Sequence, residues 1–310
     1  MNRKVVTVTL NPAIDVTLWT DLLEDNKISR VSKEARVASG KGVNVSKVLV
    51  DSGIPVLALG IAGKDNADEY MNTLAGMNIE SKFVRVNGHI RENITVLVNS
   101  ETYKLNRKGP QCDEMALSTL TEIITDVTND GDIAVFSGSL PPNMSGDSFL
   151  QIMAAAKEQG AQIVADSEAL TPEMLLALKP FLIKPNIDEF KIMTGHRGND
   201  IEGIIKKAGT LLELGVEHCL ISMGKDGMLA VSRDATYKIN TPEVTVKTTI
   251  GAGDSLVAGF ITAYLEGCDF ETCARTAVSY GTAAVIDDQS QLPDRERGMA
   301  LFSEIMAEKL

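Results

Sequence analysis

Histidine, tryptophan and cysteine are scarce in this chain, and each scarcity removes a class of chemistry. Its 310 residues include three histidines, one tryptophan and four cysteines. Cys112, Cys219, Cys268 and Cys273 have no metal-ligand spacing, and too few histidines exist to complete a site with them. Reduced cysteines in a cytoplasmic protein are therefore expected. No apolar run reaches membrane-spanning length, and Met1-Asn2-Arg3-Lys4 leads into a short strand without a signal-peptide core. Neither G-x-G-x-x-G nor G-x-x-x-x-G-K-[ST] occurs, so a dinucleotide-dependent oxidoreductase lacks its fingerprint. A formal net charge of −12 argues against a nucleic-acid binder.

What is present is ordinary globular material, with 44% apolar and 23% charged residues and enough of the former for a substantial core. Short β-rich runs (5–10, 55–61, 132–137, 162–166, 181–184 and 218–222) alternate with helical patterns at 113–128, 147–159 and 201–214. That alternation predicts right-handed βαβ units, a mostly parallel sheet and helices on both faces. The chain reads as helical from Ser255 onward, with breaks near Gly267 and around Gln289–Pro293. No repeat, low-complexity tract or linker divides the chain, so residues 1–310 are taken as one domain.

Positive charge is unevenly placed in this acidic chain. Lys27, Arg30, Lys33, Arg36, Lys41 and Lys47 form one island, and Arg85, Arg91, Lys104, Arg107 and Lys108 another. Two such islands point to a small anionic ligand, with some members, Lys33 and Lys47 among them, read as solvated surface charge. The islands coincide with two β-rich segments, about 15–37 and 82–108, expected to form a small lid over the carboxyl ends of the main strands. Exposed lid edges make a homodimer through these strands a further expectation.

The densest chemistry lies in Thr249-Ile250-Gly251-Ala252-Gly253-Asp254-Ser255, which runs into an apolar helix. Glycines around a small residue let several N–H groups point one way, and the helix dipole adds positive potential there. Asp254 is placed to take a proton from a hydroxyl beside that anion site, the layout of phosphoryl transfer. A helix N-cap is the competing reading. Ser39-Gly40-Lys41-Gly42-Val43-Asn44 precedes another helix and offers close backbone approach, a cation and an amide suited to sugar hydroxyls. Asp15 falls just beyond the first strand, where a carboxylate can accept from vicinal hydroxyls or simply serve a turn. Asn186 and Glu189 share a helical face, as Mg²⁺ ligands acting through water or as a capping box. Ser222-Met223-Gly224-Lys225-Asp226-Gly227 is a nucleotide loop or a β-turn.

In this order the motifs closely resemble the ribokinase-like (PfkB) carbohydrate kinases, over essentially the whole chain. The resemblance rests on Asn11-Pro12-Ala13-Ile14-Asp15, Gly40-Lys41-Gly42-Val43-Asn44, Asn186-x-x-Glu189 and Gly251-Ala252-Gly253-Asp254-Ser255. Within the family it looks most like kinases of phosphorylated ketohexoses, the 1-phosphofructokinases and tagatose-6-phosphate kinases. Leu105-Asn106-x-x-Gly109-Pro110, Ser137-Gly138-Ser139-Leu140-Pro141-Pro142 and Lys184-Pro185-Asn186 carry that closer likeness. Ser39 departs from the glycine that many members have.

The resemblance implies a three-layer α/β/α fold with a small β-strand lid, and an ATP- and Mg²⁺-dependent kinase of a ketohexose phosphate, fructose 1-phosphate favoured. Asp254 would be the catalytic base, and the N–H groups of Gly251, Ala252 and Gly253 the anion hole. Asp15, Ser39, Gly40 and Asn44 would meet the sugar. Arg91 would grip its phosphate with help from Lys27, Lys41, Arg107 and Ser139. Asn186 and Glu189 would organise Mg²⁺. Lys184, Asn186, Ser222, Gly224, Gly227, Ser279 and Ala283 would line the ATP site. A monovalent cation enters by family analogy without assigned ligands. The competing functions are a kinase of unphosphorylated sugars or nucleosides, against which the basic islands speak, and a non-catalytic nucleotide or sugar sensor.

Overall fold

The run Val5-Val6-Thr7-Val8-Thr9 is β-branched throughout, and a strand of that kind fits only where both of its faces are covered. In the computed structural model, which describes residues 3–99, 101–286 and 292–310, it is the central strand β1 (Val5–Thr9), buried at every position. The chain continues through β2 (Ala13–Thr20), β3 (Val31–Ser39), α1 (Lys41–Asp51), β4 (Val56–Gly63), α2 (Ala67–Gly76), β5 (Glu80–Val86), β6 (Arg91–Val98) and β7 (Glu101–Asn106). Then follow α3 (Glu114–Val127), β8 (Ile133–Ser137), α4 (Gly146–Glu158), β9 (Gln162–Asp166), α5 (Pro172–Leu178), β10 (Leu182–Ile183), α6 (Ile187–Thr194) and α7 (Ile201–Glu213). The last part comprises β11 (His218–Ser222), β12 (Met228–Ser232), β13 (Thr236–Ile239), α8 (Ala252–Leu265), α9 (Phe270–Ile286), α10 (Arg295–Met299) and β14 (Ala307–Lys309).

The main sheet has the order β14-β13-β12-β11-β10-β9-β8-β1-β4-β5. It is parallel from β5 to β11 and antiparallel beyond. Alternate residues of the same strands feed two cores. Val6, Val8, Ala134, Phe136, Ile163 and Ile183 pack under α3 to α7, whereas Val5, Ile133, Val135, Val164 and Leu182 pack under α1, α8 and α9. This is the three-layer ribokinase-like arrangement. Most of the expected strands and helices fall within a residue or two of their places, but α1 begins at Lys41 and α8 at Ala252, three or four residues early. The tail expected to be helical ends instead in β14, which pairs with β13 at the sheet edge. The break expected at Gln289–Pro293 falls largely on residues outside the described ones, as do Met1 and Asn2.

A second, four-stranded sheet has the order β3-β2-β6-β7. Its extent corrects the expected lid boundaries. Residues 82–86 belong to β5 at the edge of the main sheet, so the second segment contributes only from Arg91, and the first reaches back to Ala13 and on to Ser39. The period of two sorts this small sheet cleanly. Ile14, Val16, Leu18, Ala38 and Ile94 face the body of the protein, packing with Val43, Tyr70 and Leu74. Ala13, Asp15, Thr17 and Trp19 on β2, with Arg91, Asn93, Thr95 and Leu97 on β6, face a cleft.

Among the described residues no helix is long and apolar enough to cross a membrane. All four cysteines are free.

Candidate active site

The cleft, about 1210 Å³, lies between the inner face of the small sheet and the carboxyl ends of β9, β10 and β11. Ligands bind in this position in open α/β sheets, because loops and helix N-termini converge there.

Asp254 sits at the third position of α8, whose N-cap is Gly251 in a left-handed conformation (φ 78°). The N-cap reading of Asp254 is thereby excluded. Its carboxylate is 5% exposed and accepts a 2.8 Å hydrogen bond from the Asn44 amide. Burial and the nearby charge of Asp166 push its pKa up to about 6, against the opposing pull of Asn44, Lys41 and Lys184. The first N–H groups of α8 have no partner within the helix, and Lys184 lies against them. A Cβ added at Gly253 would stand 3.2 Å from Lys184 Nζ.

Asp166, which the sequence reading passed over, is the hub of the charged floor. It is 1% exposed, with Lys41 Nζ and Lys184 Nζ at 3.3 and 3.4 Å from Oδ1. Glu189 Oε1 lies 4.0 Å from the same Lys41 ammonium. Burial works against the charge on Lys41, but Asp166, Asp254 and Glu189 outweigh it and raise its pKa. The missed signal was a carboxylate ending a central parallel strand.

Asn186 and Glu189 do form the capping box. Asn186 Oδ1 accepts from the N–H groups of Asp188 and Glu189, and Glu189 Oε2 accepts from Asn186 N–H. That leaves Glu189 Oε1 turned toward the cleft. Among the described residues no group of three or more His, Cys, Asp or Glu could hold a metal. This donor set fits Mg²⁺ carried on nucleotide phosphates and touched by one carboxylate through water; it does not fit an all-protein cage.

On the small-sheet side, Asn93 Nδ2 donates to Asp15 Oδ1 at 2.8 Å. Arg91 lies two residue pairs away along the same strand pairing, on the same face, and its Nε is buried without a hydrogen-bond partner. Burial lowers its pKa, and Asp15 works against that. Gly40, at φ 124°, closes the wall; a Cβ there would meet Thr9 Cγ2 at 2.8 Å. Ser39, Gly40, Lys41, Asn44, Lys184, Asn186, Glu189, Ser222, Gly251 and Gly253 line the same cleft.

Several expected residues lie elsewhere. Lys27 is exposed and paired with Glu24. Arg107 is exposed and bonded to Glu92, which also takes Arg36, so much of the basic islands is neutralised internally. Ser139 accepts from Asn11 at 3.2 Å, outside the cleft lining. Gly224 and Gly227 make a tight turn between β11 and β12, outside the lining. Ser279 is fully buried and donates to the Gly298 carbonyl at 2.6 Å, and Ala283 is packed in the protein, so neither faces the cleft. Lys33 and Lys47, read as surface charge, do line it, as do Lys104, Asn106 and Thr249. Lys33 lies over the Trp19 ring at 4.6 Å.

A glycine-turned helix start, a buried carboxylate in its first turn and a small sheet facing both are what a phosphotransferase of the sugar kinase type requires. The chain belongs to the pfkB family of carbohydrate kinases, whose model matches residues 3–296. It is 31% identical to a 1-phosphofructokinase of Bacillus subtilis, over 92% of this chain and 93% of that protein. It is 28% identical to a tagatose-6-phosphate kinase of Staphylococcus epidermidis, over 97% and 98%. The crystal structure of Escherichia coli phosphofructokinase-2 in complex with fructose-6-phosphate superposes with a TM-score of 0.88 at 26% identity, covering 98% of this chain and 99% of that one. The same enzyme has been crystallised in complex with potassium and as a tetrameric inhibited form.

Proposed function

We propose that this chain transfers the terminal phosphoryl group of ATP to a hydroxyl of a ketohexose phosphate, with fructose 1-phosphate favoured. Tagatose 6-phosphate and fructose 6-phosphate are the alternatives. The carrying observation is Arg91, a cleft-lining guanidinium whose buried Nε lacks a partner, beside the Asp15–Asn93 pair. A buried unpaired donor is costly, and a substrate phosphate satisfies it. A kinase of free sugars has no use for that arrangement. The names of the 1-phosphofructokinase and tagatose-6-phosphate kinase relatives agree with the reading.

In this reading Asp254 takes the proton of the attacking hydroxyl, and the N–H groups of Gly251, Ala252 and Gly253 hold the charge on the transferring group. Asp15, Gly40 and Asn44 orient the sugar, and Lys41 and Lys184 face the phosphates. Asn186 and Glu189 would hold Mg²⁺ through water, which when bound neutralises phosphate charge. The small sheet acts as a lid, and its exposed Val31 and Leu105, with Ile28 on the β2–β3 loop, form the contact of a homodimer. A potassium requirement belongs to the same reading, supported by the potassium-bound relative.

The test is ADP release with ATP and Mg²⁺ across fructose 1-phosphate, tagatose 6-phosphate, fructose 6-phosphate, fructose and ribose. A kcat/KM preference for one phosphorylated ketose supports the proposal and names the substrate. Preference for a free sugar removes Arg91 from the site, and no turnover of any leaves a nucleotide or sugar sensor.

A further inference from the structure

The turn from β3 into α1 is held carbonyl by carbonyl. Gly40 C=O accepts from Asn44 N–H at 2.8 Å, the first bond of α1. Ser39 C=O accepts from the Tyr70 hydroxyl on α2 at 2.7 Å. Ala38 C=O accepts from Lys47 Nζ on α1 at 2.5 Å. Three groups from two helices of the body, α1 and α2, thus grip three consecutive peptides where the small sheet joins it.

Of these grips only the one from Lys47 uses a charge. Lys47 is half-buried against the cleft, and Ala38 C=O is the one hydrogen-bond acceptor it has among the described residues. Asp15 on β2, Asp51 on its own helix and Asp254 on α8 bear on its ammonium, but burial prevails and brings its pKa down to about 8. An ammonium so placed is a poor way to gain stability, since a packed apolar side chain would serve at least as well. What an apolar side chain cannot do is hold Ala38 C=O. Gly40 is wedged against Thr9 and Pro12, so the body side of the turn is fixed, and the Lys47 bond carries that hold on to Ala38, the last residue but one of β3.

Resting on the kinase reading above, we propose that Lys47 is a positioning residue for the sugar half of the site. Through the Ala38 carbonyl it fixes the Ser39–Gly40 backbone, and with it the pose of the small sheet over Asp254.

The test compares Lys47→Met, which keeps the stem and removes donors and charge, with Lys47→Arg, which keeps both. With fructose 1-phosphate and ATP varied in turn, Lys47→Met should raise the KM for the sugar phosphate about tenfold or more and leave that for ATP within about twofold. Lys47→Arg should return the first value to within about threefold of wild type. An unchanged sugar-phosphate KM in Lys47→Met, an equal rise in both KM values, or an arginine variant as impaired as the methionine one overturns the proposal. If Lys47→Met does not melt cooperatively, Lys47→Leu, which also lacks a donor, takes its place with the same expectations. A wild type that turns over no sugar phosphate refutes the kinase reading and Lys47's role with it, whereas an active wild type with indifferent variants refutes Lys47 alone.

Discussion

Asn44 donates its side-chain amide to Asp254 Oδ2 at 2.8 Å, joining residues 210 positions apart in the chain. The bond stabilises the carboxylate against the burial and the Asp166 charge that disfavour it. It also ties the first turn of α8 to α1.

The pH profile follows from that balance. As the proposed base, Asp254 would work deprotonated, so kcat/KM should fall as pH drops through about 6, the pKa to which it is raised. Removing the donor disfavours the charged form, so Asn44→Ala should move this acid limb to higher pH. A hydrogen bond to a charged group is worth roughly 1.5–3 kcal/mol, or about one to two pH units. A pH–rate profile of both proteins checks the direction.

Asp254→Asn should fold, bind ATP and lose turnover by about 10²–10⁴-fold or more, measured as ADP release. It should also be the more stable protein at neutral pH. The folded pKa is raised from 3.8 to about 6, so the cost of the buried charge is absent below the lower value and complete above the upper. The variant's gain, roughly 3 kcal/mol at most, should therefore appear in denaturant unfolding at pH 7 and vanish near pH 4.

Arg91→Ala should raise the KM for the sugar phosphate by about 10- to 150-fold, the worth of one desolvated charge-assisted contact, and leave that for ATP near its original value. An unchanged sugar-phosphate KM would remove Arg91 from substrate binding.

Glu189→Gln separates two roles of one side chain. Glutamine can still accept from Asn186 N–H, so the capping box and the melting temperature should survive. The Mg²⁺ concentration needed for half-maximal rate should rise. A fall in melting temperature with no change in Mg²⁺ dependence would make Glu189 purely a helix cap.

The oligomer is open to a direct measurement. Light scattering should give twice the 33.3 kDa chain mass, and Leu105→Glu on exposed β7 should lower it toward one chain. A wild type that scatters as one chain removes the proposed contact.

The main sheet was legible because buried parallel strands announce themselves as short apolar or β-branched runs, unbroken in Val5–Thr9 and centred on Ile163-Val164 in Gln162–Asp166. The Gly251–Asp254 and Gly40–Asn44 turns were legible because few residue types tolerate such close backbone approach. Residues whose meaning depends on distant partners were not. Arg36 and Arg107 looked available until Glu69 and Glu92 were seen against them. Lys47 looked solvated because helical spacing does not reveal which face meets a second sheet. Ser279 was misplaced for the same reason: its neighbour Gly298 lies 19 residues on.

The alternation in β2 has one more implication. Ala13, Asp15, Thr17 and Trp19 look into the cleft, while Ile14, Val16 and Leu18 are packed into the body. Substrate preference and foldedness are thus written in interleaved letters on a single strand. Exchanges at the odd positions can retune which sugar is welcomed while the hydrophobic seam stays closed. A single inserted residue within the strand would swap the two sets, turning the seam outward and the binding groups inward. Evolution of this cleft is therefore open to substitution at the odd positions of β2 and barred from changing the strand's length.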